Sequence, residues 1–444
     1  MPRPAPDLLA ELRAVWALAW PVSLGMLAML GMNTVDTLLV SPLGKEALGT
    51  LVLANMWFFG VSVVAHGALR AVDPLVAQAH GANDRAAIVR VTAQAIGLAL
   101  LLTPPTMAAL FVAQPGLRAL GQPTDLLPAT GAFCALMALG VPAQLVFIAL
   151  RQVLQARGVV RPTTIVLVLA NVFNAAFVSL MVYGFGLGAL GCAAATATAQ
   201  YFMLGALLWL AREPLREVLP PGWREHLTLR PVLGLVRTGF PLGVQMGMEA
   251  WAFLAAGLMM GAIGEGPLAA HGIVINLASL AFMVPLGVSA GAATRVGNLV
   301  GAERPWRTAA LASILLGGGI MAGSAAVFAL LPGPLTAMFQ PEADVAAVCV
   351  ALLPIAAAFQ LFDGLQVVAF GVLRGAGDLL VPSLANLVGY WVVGLPFGAW
   401  LAFTLGWGPV GVWTGLAAGL ACVATLLLFR LVQIARAGVR RLEA

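Results

Sequence analysis

Charged residues are scarce in this sequence. Only 9% of its 444 residues are Asp, Glu, Lys or Arg, and 61% are hydrophobic, whereas an ordinary soluble domain is charged at roughly a quarter of its positions. The mean hydropathy is +0.98. A soluble fold cannot bury so much apolar surface, so the composition excludes a soluble globular protein and indicates that lipid is the solvent.

Cysteine is also rare, and the four cysteines stand far apart in the chain, at Cys134, Cys192, Cys349 and Cys422. Each falls within an apolar segment, so we interpret them as small buried thiols and predict neither a disulfide nor a cysteine metal site. No cofactor is expected. A cleavable secretory signal is not evident either, because the apolar stretch after Arg13 continues into a full span; we expect the N-terminus to stay in the mature protein.

Long apolar runs, by contrast, follow one another along nearly the whole chain. A helix needs about 20 apolar residues to cross a hydrocarbon core of about 30 Å, and the runs are continuous and rich in Ala, Leu, Gly and Val. They lack the alternation of a β-barrel, so we predict an all-α polytopic membrane protein. The twelve predicted spans cover residues 16–40, 48–69, 91–113, 127–150, 162–184, 189–210, 238–262, 268–294, 308–331, 346–372, 381–403 and 409–431.

The basic residues predict the orientation in the membrane. Of 23 Lys and Arg residues, only Lys45 and Arg118 fall on the opposite side from the rest. The positive-inside rule assigns the richer side to the cytoplasm, so both termini are predicted to be cytoplasmic in a bacterial inner membrane. The isoelectric point of 9.5 then requires no nucleic-acid partner, since these residues determine topology and attract anionic lipid headgroups.

The two halves of the chain are an internal repeat. A single constant shift along the sequence, the one that aligns Pro21 with Pro241, superimposes them. Short segments agree as well: HGANDR (80–85) lies over VGAERP (300–305), and GLGALG (186–191) over GWGPVG (406–411). The pairs of Gly and Pro that superimpose are Pro21 with Pro241, Gly44 with Gly264, Gly67 with Gly287, Gly81 with Gly301, Pro162 with Pro382, and Gly191 with Gly411.

This repeat predicts two pseudo-symmetric six-helix bundles. We expect an N-lobe over residues 1–210, a cytoplasmic linker over 211–237 and a C-lobe over 238–444. Six spans per half make the repeats parallel, which is typical of secondary transporters. In such proteins the substrate site lies between or within the lobes near mid-membrane, and the lobes rock to open it alternately to each side.

Three acidic residues stand inside apolar spans: Asp36, Glu249 and Asp363. A bare charge at mid-bilayer costs at least about 3 kcal/mol, so such groups face a cavity, bind a proton or hold a cation. All three outcomes suit an ion-coupled antiporter. The alternative is a packing role, in which each acid is protonated and hydrogen-bonded to a neighbouring helix.

Each acid has an amide about one turn away that could orient it or complete a cation shell. These amides are Asn33, Gln245 and Gln360. The repeat positions that match Asp36, Glu249 and Asp363 are Ala256, Met29 and Ala143. The duplicated scaffold therefore has no acid at the matching places, which favours function over structure.

Further candidates are less specific. Asn174 lies mid-span and is either a polar contact in the N-lobe or an amide that joins two helices. Met26 and Met29 belong to a set of methionines that could line an adaptable apolar cavity, although packing or lipid-facing roles are common for this residue.

Several stretches resemble the multidrug and toxic compound extrusion (MATE) family, in its bacterial NorM-like branch, across essentially the whole chain. They are PVSLGMLAMLGMNTVDTLLVSPLG in span one, VAQAHGANDR after span two, GLGALGCAAAT before span six and GVLRGAGDLLVP after span ten. The resemblance implies export of organic cations and other amphipathic drugs in exchange for inward Na⁺ or H⁺. We expect the functional unit to be a monomer.

By the same resemblance, Asp36 matches the acid of the N-lobe in span one. Glu249 and Asp363 match two C-lobe acids implicated in cation binding, which makes a Na⁺ site at these two carboxylates possible. One position departs from the family pattern, because Phe359 stands one turn before Asp363 where some relatives carry tyrosine. The identity of the ion is therefore left open at this point.

Three other functions compete with this one. A flippase for lipid-linked precursors shares the architecture, but its cavity carries cationic residues, and here we find no Lys or Arg at mid-span. An intramembrane aspartyl protease would fit the string Gly375, Ala376, Gly377, Asp378, but a second motif aspartate is lacking. A pore would pass ions without saturable exchange, which the repeat and the acids disfavour; we predict a transporter and not an enzyme.

Overall fold

The structure is a computed structural model that describes residues 7–439 and 441–442. These residues form helices joined by short turns, and no strand occurs among them. The α-helices of the first half are α1 (Leu8–Val40), α2 (Lys45–Leu69), α3 (Val72–Gly81), α4 (Arg85–Phe111), α5 (Ala113–Ala119), α6 (Leu127–Ala138), α7 (Val141–Ala156), α8 (Arg161–Ser179), α9 (Gly188–Leu210) and α10 (Arg212–Val218). Those of the second half are α11 (Leu229–Ile263), α12 (Glu265–Gly301), α13 (Arg307–Leu330), α14 (Pro332–Ala337), α15 (Ala343–Gly375), α16 (Leu380–Leu387), α17 (Leu395–Ala399) and α18 (Gly408–Ala437).

Shorter helical segments connect several of these elements. The 3-10 helices are Ser41–Leu43, Thr124–Leu126 and Trp223–His226, and the π-helical segments are Leu180–Gly184, Val388–Gly394 and Trp400–Thr404. The π-helical segments continue α8, α16 and α17 without a break, so that the predicted fifth and eleventh spans each contain wider turns.

The helices are long and apolar enough for the predicted number of membrane spans. Eleven elements pass on length and composition, and the pair Thr124–Ala138 and Val141–Ala156 makes a twelfth span with a bend of 49°. The bend lies between α6 and α7, where Gly140 precedes α7 and Pro142 stands in its first turn. Proline cannot donate a backbone hydrogen bond to the preceding turn, so the two helices do not continue into each other. The prediction of an all-α fold with twelve spans is confirmed.

Two helix ends differ from the predicted boundaries. The helix of the fourth span continues past residue 150, because α7 ends at Ala156 and so includes Arg151. The segment 211–237, predicted as a cytoplasmic linker, contains α10, and α11 begins within it at Leu229. Arg157 forms an ion pair with Glu217 and donates to the carbonyl oxygen of Pro214 at 2.9 Å, which ties α10 to the end of α7.

Contacts within the chain define two compact units. The first unit is Leu24–Gly247, and in the second unit the described residues up to Ser23 join those from Met248 onward. The lobes predicted from the order of the spans placed all of α1 in the first half and all of α11 in the second. In the structure the first part of α1 belongs to the second unit, and the first part of α11 belongs to the first unit. In the second unit, Glu11 of α1 accepts two hydrogen bonds from the Arg295 guanidinium of α12, at 2.7 and 2.8 Å.

Small residues make this exchange possible, and the repeat uses them at matching positions. In the first unit, a Cβ on Gly67 would lie 2.6 Å from the Gly243 Cα. In the second unit, a Cβ on Gly287 would lie 2.7 Å from the Ser23 backbone nitrogen. Gly67 matches Gly287 and Ser23 matches Gly243 at the offset of the repeat, so the same close helix contact is made once in each unit.

The repeat extends to unusual backbone conformations. Asn83 and Glu303 are matching residues, and both have positive φ angles, of 56° and 53°. The π-helical segments Leu180–Gly184 and Trp400–Thr404 also match. The third such segment, Val388–Gly394, has no π-helical counterpart, because residues 168–174 lie within regular α8. The second half therefore carries one local distortion that the first half lacks.

A further close contact in the second unit predicts a difference between two glycines. A Cβ on Gly415 of α18 would lie 2.3 Å from the Gly398 Cα and 2.6 Å from the Gly394 carbonyl oxygen. We expect Gly415→Ala to lower the free energy of unfolding by about 1–3 kcal/mol because the backbones must separate. Thermal unfolding of the purified protein in detergent measures the effect.

Gly319→Ala on α13 is the matched control. A Cβ at Gly319 meets no atom within 4 Å, so this change is expected to be neutral or to stabilise the helix by up to about 1 kcal/mol. Equal losses of stability in the two variants would contradict a specific role for close packing at Gly415.

Candidate functional site

The acid of the first unit is buried and bound by an amide of a different helix. The Asp36 side chain on α1 is only 4% exposed. Its Oδ1 accepts a hydrogen bond from Asn174 Nδ2 of α8 at 2.5 Å, and Thr196 Oγ1 of α9 lies 3.4 Å from Oδ2. The Thr196 hydroxyl also lies 3.0 Å from the carbonyl oxygen of Cys192, so its single proton is shared between two acceptors.

The predicted partner of this acid, Asn33, does not contact it. Asn33 is exposed, and its side chain makes no hydrogen bond to any residue in the described ranges. Residues three apart on a helix point about 60° away from each other, and the Asp36 face is turned toward α8 and α9. Asn174 therefore takes the place that the sequence assigned to Asn33.

Of the two candidate methionines, Met29 contacts a charge and Met26 is partly buried on α1. The Met29 Sδ lies 3.6 Å from Nη1 of Arg151. Arg151 is close enough to Asp73 for their charges to interact. The positive charge inside α7 is thus balanced by an acid of α3.

The two acids of the second unit lie close together. Asp363 of α15 is 6% exposed, and Glu249 of α11 is near enough for the two charges to interact. Asn386 Nδ2 of α16 donates to Glu249 Oε2 at 3.2 Å, and Gln366 Nε2 donates to Asp363 Oδ1 at 3.3 Å. Like charges near each other in apolar surroundings are unfavourable, and a shared proton or cation offsets their repulsion.

The irregular segment Val388–Gly394 brings a tyrosine to this pair. Tyr390 is 1% exposed and interacts electrostatically with both Glu249 and Asp363. The next residue, Trp391, donates from Nε1 to the Met248 carbonyl oxygen at 2.9 Å. Wide π-helical turns are rare and often occur at functional sites, and here the segment is the one that the first half lacks.

Sequence reasoning missed both Asn386 and Tyr390. Each is a polar residue inside the predicted eleventh span, and that signal could have drawn attention to them. Their contact with Glu249 depends on how the eleventh span is placed against the seventh, which a single sequence does not reveal.

The remaining candidates of the second unit have different surroundings. Gln360 is fully buried, and its Oε1 accepts a hydrogen bond from Ser324 Oγ at 2.5 Å. Phe359 is part of a buried aromatic cluster, with ring centroids 5.3 Å from Trp413 and 6.0 Å from Phe253, so it packs in the core. Gln245 is buried one turn before Glu249 on α11.

Three buried amide atoms near the acids bind no described residue. They are Asn174 Oδ1, Gln360 Nε2 and Asn386 Oδ1. Buried polar atoms are nearly always hydrogen-bonded to protein, water or an ion. Asn174 and Asn386 each use the nitrogen on a carboxylate and keep the oxygen available, so both units place an amide acceptor beside an acid.

Comparison with known proteins identifies the class. Apolar helices sufficient for twelve spans, a parallel repeat and acids buried in each unit are typical of a multi-pass membrane transporter. The MatE family model matches residues 21–180 and 241–400, two stretches related by the same offset as the repeat. The chain belongs to the MatE family, the multidrug and toxic compound extrusion transporters. It is therefore a transporter and not an enzyme, and the predicted resemblance and repeat are confirmed.

Curated relatives cover nearly the whole chain. The probable multidrug resistance protein NorM of Rhizobium meliloti is 36% identical over 448 residues, which cover 96% of this chain and 94% of the relative. The probable multidrug resistance protein NorM of Deinococcus radiodurans is 35% identical and covers 99% of both chains.

Solved structures support the fold. A crystal structure of a eukaryotic MATE transporter superimposes with a TM-score of 0.87 at 22% identity, over 97% of this chain and 98% of the other. A Vibrio cholerae MATE transporter in its bent form gives a TM-score of 0.85 at 17% identity, over 97% of this chain and 98% of the other.

The contact between Asp36 and Asn174 predicts a measurable coupling. We expect Asn174→Ala to lower the free energy of unfolding by about 1–3 kcal/mol, since a buried carboxylate loses its amide donor. Asn171→Ala on the same helix is the control, because Asn171 Nδ2 bonds only the Leu167 carbonyl oxygen of its own helix, at 2.9 Å.

Thermal unfolding of Asp36→Asn, Asn174→Ala and the double variant completes the cycle. The two losses are expected to be non-additive by at least about 0.5 kcal/mol. Strict additivity would mean that the contact contributes nothing to stability.

Proposed function

We propose that this chain exports amphipathic, cationic drug-like compounds in exchange for inward Na⁺ or H⁺. The observation that carries the proposal is the pair of acids Glu249 and Asp363, which lie close together inside one apolar unit. Such a pair is stable only when it shares a positive charge. A group that must hold a cation, and can release it when the site opens to water, is suited to ion coupling.

Exchange follows from competition for the acids. Glu249 and Asp363 bind the coupling cation, and Asp36 binds a proton or the cationic substrate. An inward-moving ion shifts the equilibrium between two states only by its difference in affinity for them. When the ion neutralises an acid, the substrate that used this acid loses its counter-charge and is released on the other side.

The relatives support a drug-like substrate. Proteins 35–36% identical to this chain over nearly their full length are named multidrug resistance proteins. The partly buried Met26 and the exposed Met29 lie on the helix of Asp36. Flexible thioether side chains adapt to ligands of different shape, and a nearby carboxylate selects those with a positive charge.

Oxygen ligands beside the paired acids suit Na⁺ as well as H⁺. Glu249 and Asp363 supply carboxylate oxygens, and Asn386 supplies an amide oxygen that bonds no described residue. Hard cations prefer such ligands. Phe359 cannot contribute an oxygen, whereas the Tyr390 side chain lies beside both acids.

Replacement of each acid by its amide is expected to slow substrate exchange. In liposomes loaded with a fluorescent cationic dye, Asp36→Asn, Glu249→Gln and Asp363→Asn are each expected to slow exchange by at least about tenfold, because an interaction with the moving cation is removed. The exposed residue Asp125 offers a control, Asp125→Asn, that should exchange at the wild-type rate. Wild-type rates in all three acid variants, with the fold intact, would falsify the carboxylate mechanism.

The coupling ion is decided by imposing a sodium gradient and a pH gradient separately on the same liposomes. If Na⁺ drives export, Asn386→Ala is expected to raise the Na⁺ concentration for half-maximal exchange roughly threefold to tenfold, since one ligand and one hydrogen bond to Glu249 are lost. If H⁺ drives export, the same variant shifts the pH of half-maximal exchange and the response to Na⁺ is absent. No shift under either gradient would show that Asn386 takes no part in coupling.

A further inference from the structure

A cavity of about 670 Å³ opens at the turn between α12 and α13 in the second unit. We call it the cationic cavity. It is lined by Val300, Glu303, Arg304, Pro305, Trp306, Arg307, Val439 and Arg441. None of these residues belongs to the acid sites described above, so the cavity requires a separate explanation.

The cavity lies at the depth of lipid headgroups. The apolar helix α13 has 24 residues and is therefore about 36 Å long, slightly more than a hydrocarbon core of about 30 Å. Its first residue is Arg307, so the turn before it stands just outside the hydrocarbon. Trp306 precedes this helix, and tryptophan is enriched at the membrane interface.

Positive charge predominates around the cavity. Arg304, Arg307 and Arg441 contribute three positive charges against the single acid Glu303. Arg304, Arg307 and Glu303 form no ion pair with any residue of the ranges 7–439 and 441–442. Two neighbouring arginines, Arg304 and Arg307, without an ion pair among the described residues are a ready site for an anion.

Val439 and Leu442, near the C-terminus, make apolar contacts beside this site. Val439 packs against the buried cluster that includes Trp306. Leu442 lies against Gly377 in the turn after α15, with its Cγ 3.0 Å from the position of a Cβ on that glycine. Arg441 stands between these two contacts in the sequence, so its place at the cavity is set by packing on both sides.

The repeat shows what is different about this turn. At the matching turn of the first unit, Asp84 Oδ1 accepts a hydrogen bond from the Ala87 backbone nitrogen at 2.9 Å and caps α4. The residue that matches Asp84 is Arg304, and no side chain of the described residues caps α13. The two turns share a positive φ at Asn83 and Glu303, but α13 begins at Arg307, two residues later than the position that matches the start of α4. The first turn carries an acid that caps its helix, whereas the second has arginine at the matching position and leaves its helix uncapped by a side chain.

We infer that the cationic cavity binds a phosphate group, as carried by an anionic phospholipid headgroup or by a soluble phosphate. The phosphate oxygens accept hydrogen bonds from the arginines and from the first backbone nitrogens of α13, which no side chain of the described residues caps.

Native mass spectrometry of the full chain tests the site. The protein is released from detergent with equimolar phosphatidylglycerol and phosphatidylcholine, and the retained lipids are counted. Arg304→Gln/Arg307→Gln is expected to lower the ratio of phosphatidylglycerol to phosphatidylcholine roughly tenfold. The control Arg85→Gln/Arg90→Gln removes the same charge from the beginning of α4 in the first unit and should leave the ratio unchanged.

A second variant guards against loss of folding. Arg304→Asp reverses one charge of the cavity at an exposed position, so it should abolish the phosphatidylglycerol preference and leave the unfolding temperature unchanged. Millimolar inorganic phosphate distinguishes the two sources: displacement of the lipid, or protection of the wild type against unfolding without lipid, indicates a soluble phosphate. Lipid retention that phosphate does not affect indicates the headgroup.

Two results would overturn the inference. One is an unchanged lipid ratio and an unchanged response to phosphate in both Arg304 variants. The other is an equal loss in the Arg85→Gln/Arg90→Gln control, which would show that net surface charge, and not this cavity, attracts the anion.

Discussion

A carboxylate buried among apolar helices has to be matched by donors, by a proton or by a cation, and this requirement shapes both units of the protein. In the first unit Asp36 accepts a hydrogen bond from the amide of Asn174. In the second unit Glu249 and Asp363 lie within reach of each other's charge, and each is contacted by an amide of its own. The two units therefore differ: Asp36 is contacted by amide and hydroxyl side chains, whereas the second unit brings two carboxylates near each other.

The duplicated backbone explains how such different sites share one architecture. The same close helix contact occurs in both units, between Gly67 and Gly243 in the first and between Gly287 and Ser23 in the second. The two repeats therefore share the same short backbone distance at this position. The acids do not follow this symmetry, and neither does the π-helical segment Val388–Gly394. Because that segment carries Tyr390 to the paired acids, a local change in backbone winding accompanies the change in chemistry.

The sequence predicted the features that depend on composition and period. Helical spans, the constant offset between the repeats and the buried acids Asp36, Glu249 and Asp363 are visible because each leaves a pattern in one dimension. The partners of the acids were predicted less well. Asn33 was chosen by its spacing on α1, whereas Asn174 comes from α8. Spacing within one helix reports which residues share a face, but a contact between helices depends on how those helices are rotated, and no local pattern contains that information.

The exchange of helix segments between the units has the same physical origin. The order of spans suggests that each half folds on itself, but residues up to Ser23 group with the chain from Met248 onward. Small residues at Ser23 and Gly287 permit an approach that larger side chains would forbid, and the Glu11–Arg295 pair adds two charge-assisted hydrogen bonds to it. Because the two halves are repeats, each helix segment finds a similar packing surface in its own half and in the other half. The local sequence therefore does not reveal which of the two surfaces the segment packs against. The contacts between small residues and the Glu11–Arg295 ion pair determine which half the segment packs against. These contacts can be recognised only when both contacting residues are known.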